Sequence, residues 1–142
     1  MSISERISPL VGRLLIAWFF LSEIRWRIDN WGASVILMHM RHIPTASLLL
    51  ALALVVMLLG SIALIFGYYT RQGALLLFAY TVAVTVLIHD YWRIYNPVDR
   101  SADFDLFIRN MAIAGGLLFL VGMGPGPFAI DNRPKARRPG RG

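Results

Sequence analysis

The sequence predicts an all-α integral membrane protein: a four-helix bundle with a short interfacial helix between helices 1 and 2. Three observations carry this. Aliphatic, aromatic, Met and Cys positions together make up 57% of the 142 residues, above the roughly 45–50% that an even broader apolar set reaches in ordinary globular chains. Charged residues are only 15% and avoid three long windows. The run Ala74 to Ile88 holds no charge, Gly or Pro and stops in His89-Asp90-Tyr91-Trp92-Arg93, the aromatic and ionisable mixture that collects where lipid meets water. A soluble chain of this size can bury one such helix; burying four leaves too little polar surface to keep it dissolved.

The charge balance narrows the function classes. Net charge is +6, from 14 Lys and Arg against 8 Asp and Glu, and five of the positives lie in the last ten residues. With no basic stripe interleaved with aromatics on a folded surface, nucleic acid is excluded as a partner. Anionic headgroups of the lipid bilayer, or control of topology, account for the basicity better. The chain has no Cys, which rules out disulfides, thiolate chemistry, Cys-bound zinc and Cys-held iron–sulfur clusters within it.

Taken in order, residues 1–8 form a short polar N-terminus. Ser8-Pro9 has the form of a helix start, with Ser as N-cap and Pro at the first helical position, so the first span is expected over about Pro9 to Ile24. Ser22-Glu23-Ile24-Arg25 is not a small-residue cleavage site, so a signal peptide is rejected. Arg13 is placed to snorkel to the near surface. Trp26 to Ile43 is apolar only over Ala33 to Met40, too short to cross, and its tryptophans suit a helix along the surface. Thr45 to Phe66, 22 residues at 1.5 Å each, reaches about 33 Å and crosses a hydrocarbon core of roughly 30 Å. Gly60, Ala63 and Gly67 give it a narrow face for close helix packing. A tight turn over Tyr68 to Gly73 makes spans two and three antiparallel neighbours. The fourth span, about Leu106 to Val121, follows the Asn96-Pro97 turn signal and is broken near its middle by Gly115-Gly116. The helical domain therefore runs over 9–130, and 131–142, rich in Arg, Pro and Gly, is expected to be a disordered basic tail.

Four spans put both termini on one side. That side carries eight Lys and Arg and the other six, the latter accompanied by six of the eight acids, so cytoplasmic termini are expected in the inner membrane. The end of span one, the start of span two, the end of span three and the start of span four then emerge together on the far side. Any site belongs there. His89 closes the stripe Thr81, Thr85, His89 at i, i+4 and i+8. It has the chemistry to hold a quinone carbonyl, pass a proton or ligate haem, although the plainer reading is a cap at the interface. Haem between His42 and His89 is disfavoured. His39 and His42 are three apart, a metal-compatible spacing without a carboxylate beside it, so no metal site is assigned. Glu23, with Arg25, Arg93 or Arg109 as partner, is either functional or an ion pair joining helix ends. Trp92 sits at the same mouth, and Arg109-Asn110 opens span four, with Asn110 able to hydrogen-bond across helices. The sequence contains no hydrolase triad order, phosphate loop or paired carboxylates, so no catalytic residue is assigned.

These residues together resemble the DoxX family of small four-helix membrane proteins. The likeness runs from Gly12-Arg13-Leu14-Leu15 through Ile43-Pro44 and the glycines Gly60 and Gly67 with Thr70-Arg71. It continues through His89 and Phe107-Ile108-Arg109-Asn110 with Gly115-Gly116-Leu117-Leu118, and closes on Gly124-Pro125-Gly126-Pro127 and Asp131. It spans about residues 8 to 131. Met57 stands where that family usually carries a glutamate, Ser22-Glu23-Ile24-Arg25 departs from its Ser-Gly and Lys pattern, and Arg109 replaces its commoner Lys. The resemblance implies a small subunit of a redox complex in a bacterial cytoplasmic membrane. A quinone or quinol would then lie at the outer mouth, near His89, Arg109, Asn110, Glu23, Thr85 and Trp92. Gly60, Gly67, Gly115 and Gly116 would serve helix packing. The alternative is a structural or assembly subunit with no chemistry of its own.

Overall fold

The computed structural model describes residues 2–132, and over them every regular element is a helix. Five α-helices follow one another: α1 (Ile3–Asp29), α2 (Trp31–Met40), α3 (Ala46–Phe66), α4 (Thr70–Ile88) and α5 (Pro97–Met123), with single 3-10 turns at Tyr91–Arg93 and Ile130–Asn132. α1, α3, α4 and α5 are long and apolar enough to cross a bilayer, and α2 is the short helix between the first two spans. α3 packs between α1 and α4, and α4 packs against α5, which returns to α1. Both described termini therefore lie at one end of the bundle, the terminal end. α2 lies at the other.

Each spanning helix contributes one buried stripe at helical spacing. Arg13, Ala17 and Phe20 come from α1, and Met57, Gly60, Ser61 and Leu64 from α3. α4 adds Ala74, Leu77, Thr81 and Thr85, and α5 adds Asn110, Ala114, Leu117 and Leu120. The remaining faces expose large side chains such as Trp18, Leu59 and Phe119, the last 67% exposed. In water such a belt would be an aggregation surface; around a bundle it is the face that meets lipid. Because lipid tails are as apolar as leucine, helix association here rests on close packing rather than on escape from water. The α3–α4 contact supplies it: a Cβ on Gly60 would overlap the Leu77 side chain, and one on Gly73 would stand 2.6 Å from Ala63 Cβ. The hydroxyls in these stripes are satisfied locally, Ser61 donating to the Met57 carbonyl at 2.7 Å and Thr81 to the Leu77 carbonyl at 2.7 Å.

Several boundaries differ from the sequence expectation, each for a local reason. α1 begins not at Pro9 but at Ile3. Ser2 and Glu5 form a reciprocal capping box, Ser2 Oγ accepting from the Glu5 amide and the Glu5 carboxylate accepting from the Ser2 amide at 2.7 Å, which outcompetes the weaker start at Ser8. Pro9 lies inside the helix, against Gly126. α5 starts well before the expected span, because the Asn96 side chain accepts from the Val98 amide at 3.1 Å with Pro97 in the first turn. It also runs unbroken through Gly115-Gly116. Gly115 has no described neighbour within 4 Å of its would-be Cβ and Gly116 meets only Ile16 at 3.4 Å, so neither is a close-packing position within this chain.

The terminal end is closed by the segment after α5. Arg13 does not snorkel: it is fully buried and donates from Nη2 to the Phe128 carbonyl at 2.6 Å. Gly67, the left-handed cap of α3 with φ of 65°, lies where a Cβ would strike the Arg13 guanidinium and the Ala129 backbone. Asp131, placed by sequence at the start of the tail, is part of the folded unit. Its carboxylate accepts from the Tyr69 and Thr70 amides at 2.8 Å each, and its own amide donates to the Gly67 carbonyl at 2.8 Å. α4 has no cap from its own flanking side chain, so this distant aspartate takes that role. The rest of the expected tail, 133–142, lies outside the described residues.

Candidate functional site

At the α2 end the helices do not close on one another. They surround a cavity of about 490 Å³, within the 300–1,000 Å³ range of small-molecule sites. α2 lays one face over it, through Ala33, Ser34, Leu37 and Met38. Leu50 and Ala53 of α3 and Leu106 of α5 line other walls, and α4 presents Tyr80, Val84 and Ile88, a stripe at i, i+4 and i+8. The polar groups converge from α1 and α5: Glu23, Arg27 and Arg109, with His89 at the end of α4.

Every ionisable group lining this space through a charge is already paired. Glu23 forms an ion pair with Arg27 one turn on, and its other oxygen stands 3.5 Å from Arg109 Nη2, joining α1 to α5. Arg109 also lies over the Phe19 ring, 5.3 Å from its centroid, a cation–π arrangement. His89 Nδ1 is 2.9 Å from Asp103 Oδ1, joining the end of α4 to the opening turns of α5. Just outside, the buried Asp90 pairs with Arg41 and stands 3.6 Å from Arg93 Nε, so the link after α2 is joined to the link after α4. The adjacent His89 and Asp90, which lie just past the last turn of α4, thus turn to different partners.

The structure brings together three of the sequence-derived site residues, Glu23, His89 and Arg109, on one cavity. The other three lie elsewhere. Asn110 is buried deeper, lining a void of about 10 Å³ beside Met57 and Thr81. Thr85 is fully buried in the helix packing and donates to the Thr81 carbonyl at 2.6 Å, so it serves packing rather than the chamber. Trp92 lies outside, half exposed, edge-on to Tyr91 and Phe107 at 5.3 and 6.2 Å. Sequence reasoning missed Arg27, although its i+4 spacing from Glu23 was a usable signal; the expected partner Arg25 instead meets Asp29 at the surface, 3.6 Å away. It also missed Tyr80, whose stripe runs beside the more conspicuous polar one. His39 is exposed, and no group of three or more metal-ligating side chains occurs among the described residues.

A family model described as the SURF4 family matches residues 10–137. The chain belongs to the SURF4 family. The DoxX resemblance is thereby overturned: its motif pieces are short helix-packing and turn patterns that a membrane bundle of another family also presents. Among relatives of this SURF4 member, the inner membrane proteins YqjF and YphA of Escherichia coli are each 27% identical. They match over 89% and 87% of this chain and 92% and 88% of their own lengths. A Surfeit locus protein 4 homolog of Drosophila melanogaster is 27% identical over 92% of the chain, which spans 42% of that protein's length. No solved structure matches. The chain is a multi-pass membrane protein in contact with lipid; the redox, quinone and redox-complex expectations came with the DoxX resemblance and have no support from the SURF4 relatives.

Proposed function

We propose that the chain is a structural or assembly component of the membrane, one that binds through its α2 end and performs no chemistry of its own. The observation that carries this is the mutual pairing at the mouth. Glu23 with Arg109, His89 with Asp103, and Asp90 with Arg41 join different helix ends, while Arg27 and Arg93 hold Glu23 and Asp90 from within their own segments, which is the work of structural ion pairs. Glu23, Arg27 and Arg109 are turned on one another rather than presented singly to a substrate. The termini face the cytoplasm in a bacterial inner membrane under this reading. The excess of Lys and Arg on the terminal side supports the orientation, and the likeness to two Escherichia coli inner membrane proteins supports the location.

The test is extraction of the full chain from its own membrane in mild detergent, followed by cross-linking and mass spectrometry. A partner polypeptide at fixed stoichiometry, retained in His89→Ala, is the expected result. Recovery of the chain alone, together with a quinol-dependent electron transfer abolished by His89→Ala, would overturn the proposal and restore a redox role. Reporter fusions at Tyr69 and Asn96 check the orientation, with only Tyr69 reporting from the cytoplasm.

A further inference from the structure

The cavity at the α2 end is not explained by assembly, which the rim alone would serve. Its walls are apolar on four helices, whereas its charged groups sit together on the facing turns of α1 and α5. Those groups are unequal in sign: one carboxylate, Glu23, faces two guanidinium groups, Arg27 and Arg109. Arg27 holds Glu23 closely and is 17% exposed, whereas Arg109 stands at 3.5 Å and is 42% exposed. Arg109 is therefore the cation with charge and donors to spare, its planar fork suited to a carboxylate or phosphate oxygen pair. The Nδ1 of His89 is already engaged by Asp103. Ser34 adds no free donor, since its hydroxyl donates to the Asn30 carbonyl at 3.0 Å.

An apolar chamber with one surplus cation at its charged corner matches a ligand with an apolar tail and a single anionic head. A bare inorganic anion would leave the apolar walls without a partner, and a neutral hydrocarbon would leave the second guanidinium charge of the corner unmatched, since Glu23 supplies one carboxylate for two cations. We infer that the cavity binds an anionic amphiphile, a long-chain carboxylate or phosphate ester, with its head on Arg109 and its tail along Leu37, Leu50, Val84 and Leu106. Cavity binding does not require the assembly role, because the apolar walls lie behind the charged corner, although Glu23, Arg27, Arg109 and His89 belong to both.

Trp26 lines the chamber, which gives a direct readout. In the full chain with the other three tryptophans, Trp18, Trp31 and Trp92, replaced by Phe, 9,10-dibromostearate added to detergent micelles quenches Trp26 by contact. Saturable quenching by the acid is expected, with its methyl ester and inorganic phosphate neither binding nor competing. Arg109→Gln weakens the acid at least ten-fold, and Arg109→Lys restores it to within about three-fold. Ala53→Phe fills the chamber and abolishes saturation while the variant still melts cooperatively, which separates loss of the site from loss of the fold. Equal, non-saturating quenching by acid and ester would reduce the effect to micelle partitioning and overturn the inference. So would displacement of the acid by phosphate alone, or unchanged affinity in a folded Arg109→Gln.

Discussion

The two ends of the bundle spend their buried polar groups in opposite ways. At the terminal end Arg13 is fully buried and held by the Phe128 carbonyl, and Asp131 caps α4 from 61 positions away. That end is packed to the point where Gly67 admits no side chain. At the α2 end comparable charges pair with one another around a chamber of about 490 Å³. The lesson is that charge in a membrane bundle serves either closure or access, and the difference lies in what the partner is. A backbone carbonyl or a row of amides draws a segment in and leaves no room, whereas long side chains on facing helices join the helix ends at the length of two side chains and leave space beside them.

The comparison breaks most visibly at Gly67. Gly67→Val puts a β-branched residue at a left-handed position, where an ordinary L-residue already costs about 1–2 kcal/mol, and drives its Cβ into the Arg13 guanidinium and Ala129, where overpacking adds about 1–3 kcal/mol. Thermal unfolding in micelles is expected to show a larger loss than any single substitution at the α2 end produces. Ligand quenching at Trp26, measured below the lowered melting point, should survive, because the strain is confined to the opposite end.

Asp131→Asn has the next largest effect. The carboxylate's pairing with two amides is a cap, worth about 1 kcal/mol. Burial would raise the Asp131 carboxyl, but the Thr70 and Tyr69 amides, the Thr70 hydroxyl beside it and the charge of Arg13 outweigh burial and hold it below the ordinary carboxylate value. A group whose value is depressed by folding stabilises the native state fully above its unfolded value, about 3.9 for Asp, and loses that contribution as pH falls through the lower folded value. The gap in unfolding midpoint between the native chain and Asp131→Asn is therefore expected to be full at pH 7 and to close below about pH 4.

At the α2 end Glu23→Gln is expected to cost less, about 1 kcal/mol or under, because the Gln carbonyl oxygen still accepts from the mostly buried Arg27, and the Arg109 half of the cluster is partly exposed and contributes little. Its distinguishing mark is on the cavity. With the carboxylate gone, two cations face the chamber, and dibromostearate binding should strengthen while stability falls. Moving together in the same direction would show that Glu23 shapes the chamber rather than balancing its charge.

What was legible in the sequence follows from the range of each interaction. Hydropathy is a property of each segment alone, so the four spans, the short helix between the first two and the gathering of Glu23, His89 and Arg109 at one end could be read directly. The Ser2–Glu5 box and the Glu23–Arg27 spacing are equally local, but the Ser8-Pro9 pair and the Thr81–Thr85 stripe are more conspicuous and mask them. The hold of Asp131 on α4 and of Arg13 on Phe128 has no local signature: the partners are 61 and 115 positions apart, and an Asp beside an Arg-rich tail resembles any solvated acid. The chamber itself is a shape, and its Tyr80 wall becomes distinct from a lipid-facing one only when α5 and α2 are in place.

The smallest effect is expected at Gly115, and it tests the outer face of α5. In water an exposed helical Gly→Ala change gains about 1 kcal/mol, because the unfolded chain loses freedom. In a bilayer the unfolded reference is itself helical, since no backbone group can be left unpaired in hydrocarbon, so Gly115→Ala should gain well under that amount. No described side chain lies within 4 Å of the position, so even Gly115→Leu should leave the melting point of the isolated chain almost unchanged. The same variant read in native membranes asks a different question. If α5 faces only lipid there, Gly115→Leu leaves the recovered assembly unchanged; loss of the partner with an unaltered melting point would instead place a second helix against this face, and make α5, not the α2 end, the side on which the bundle docks.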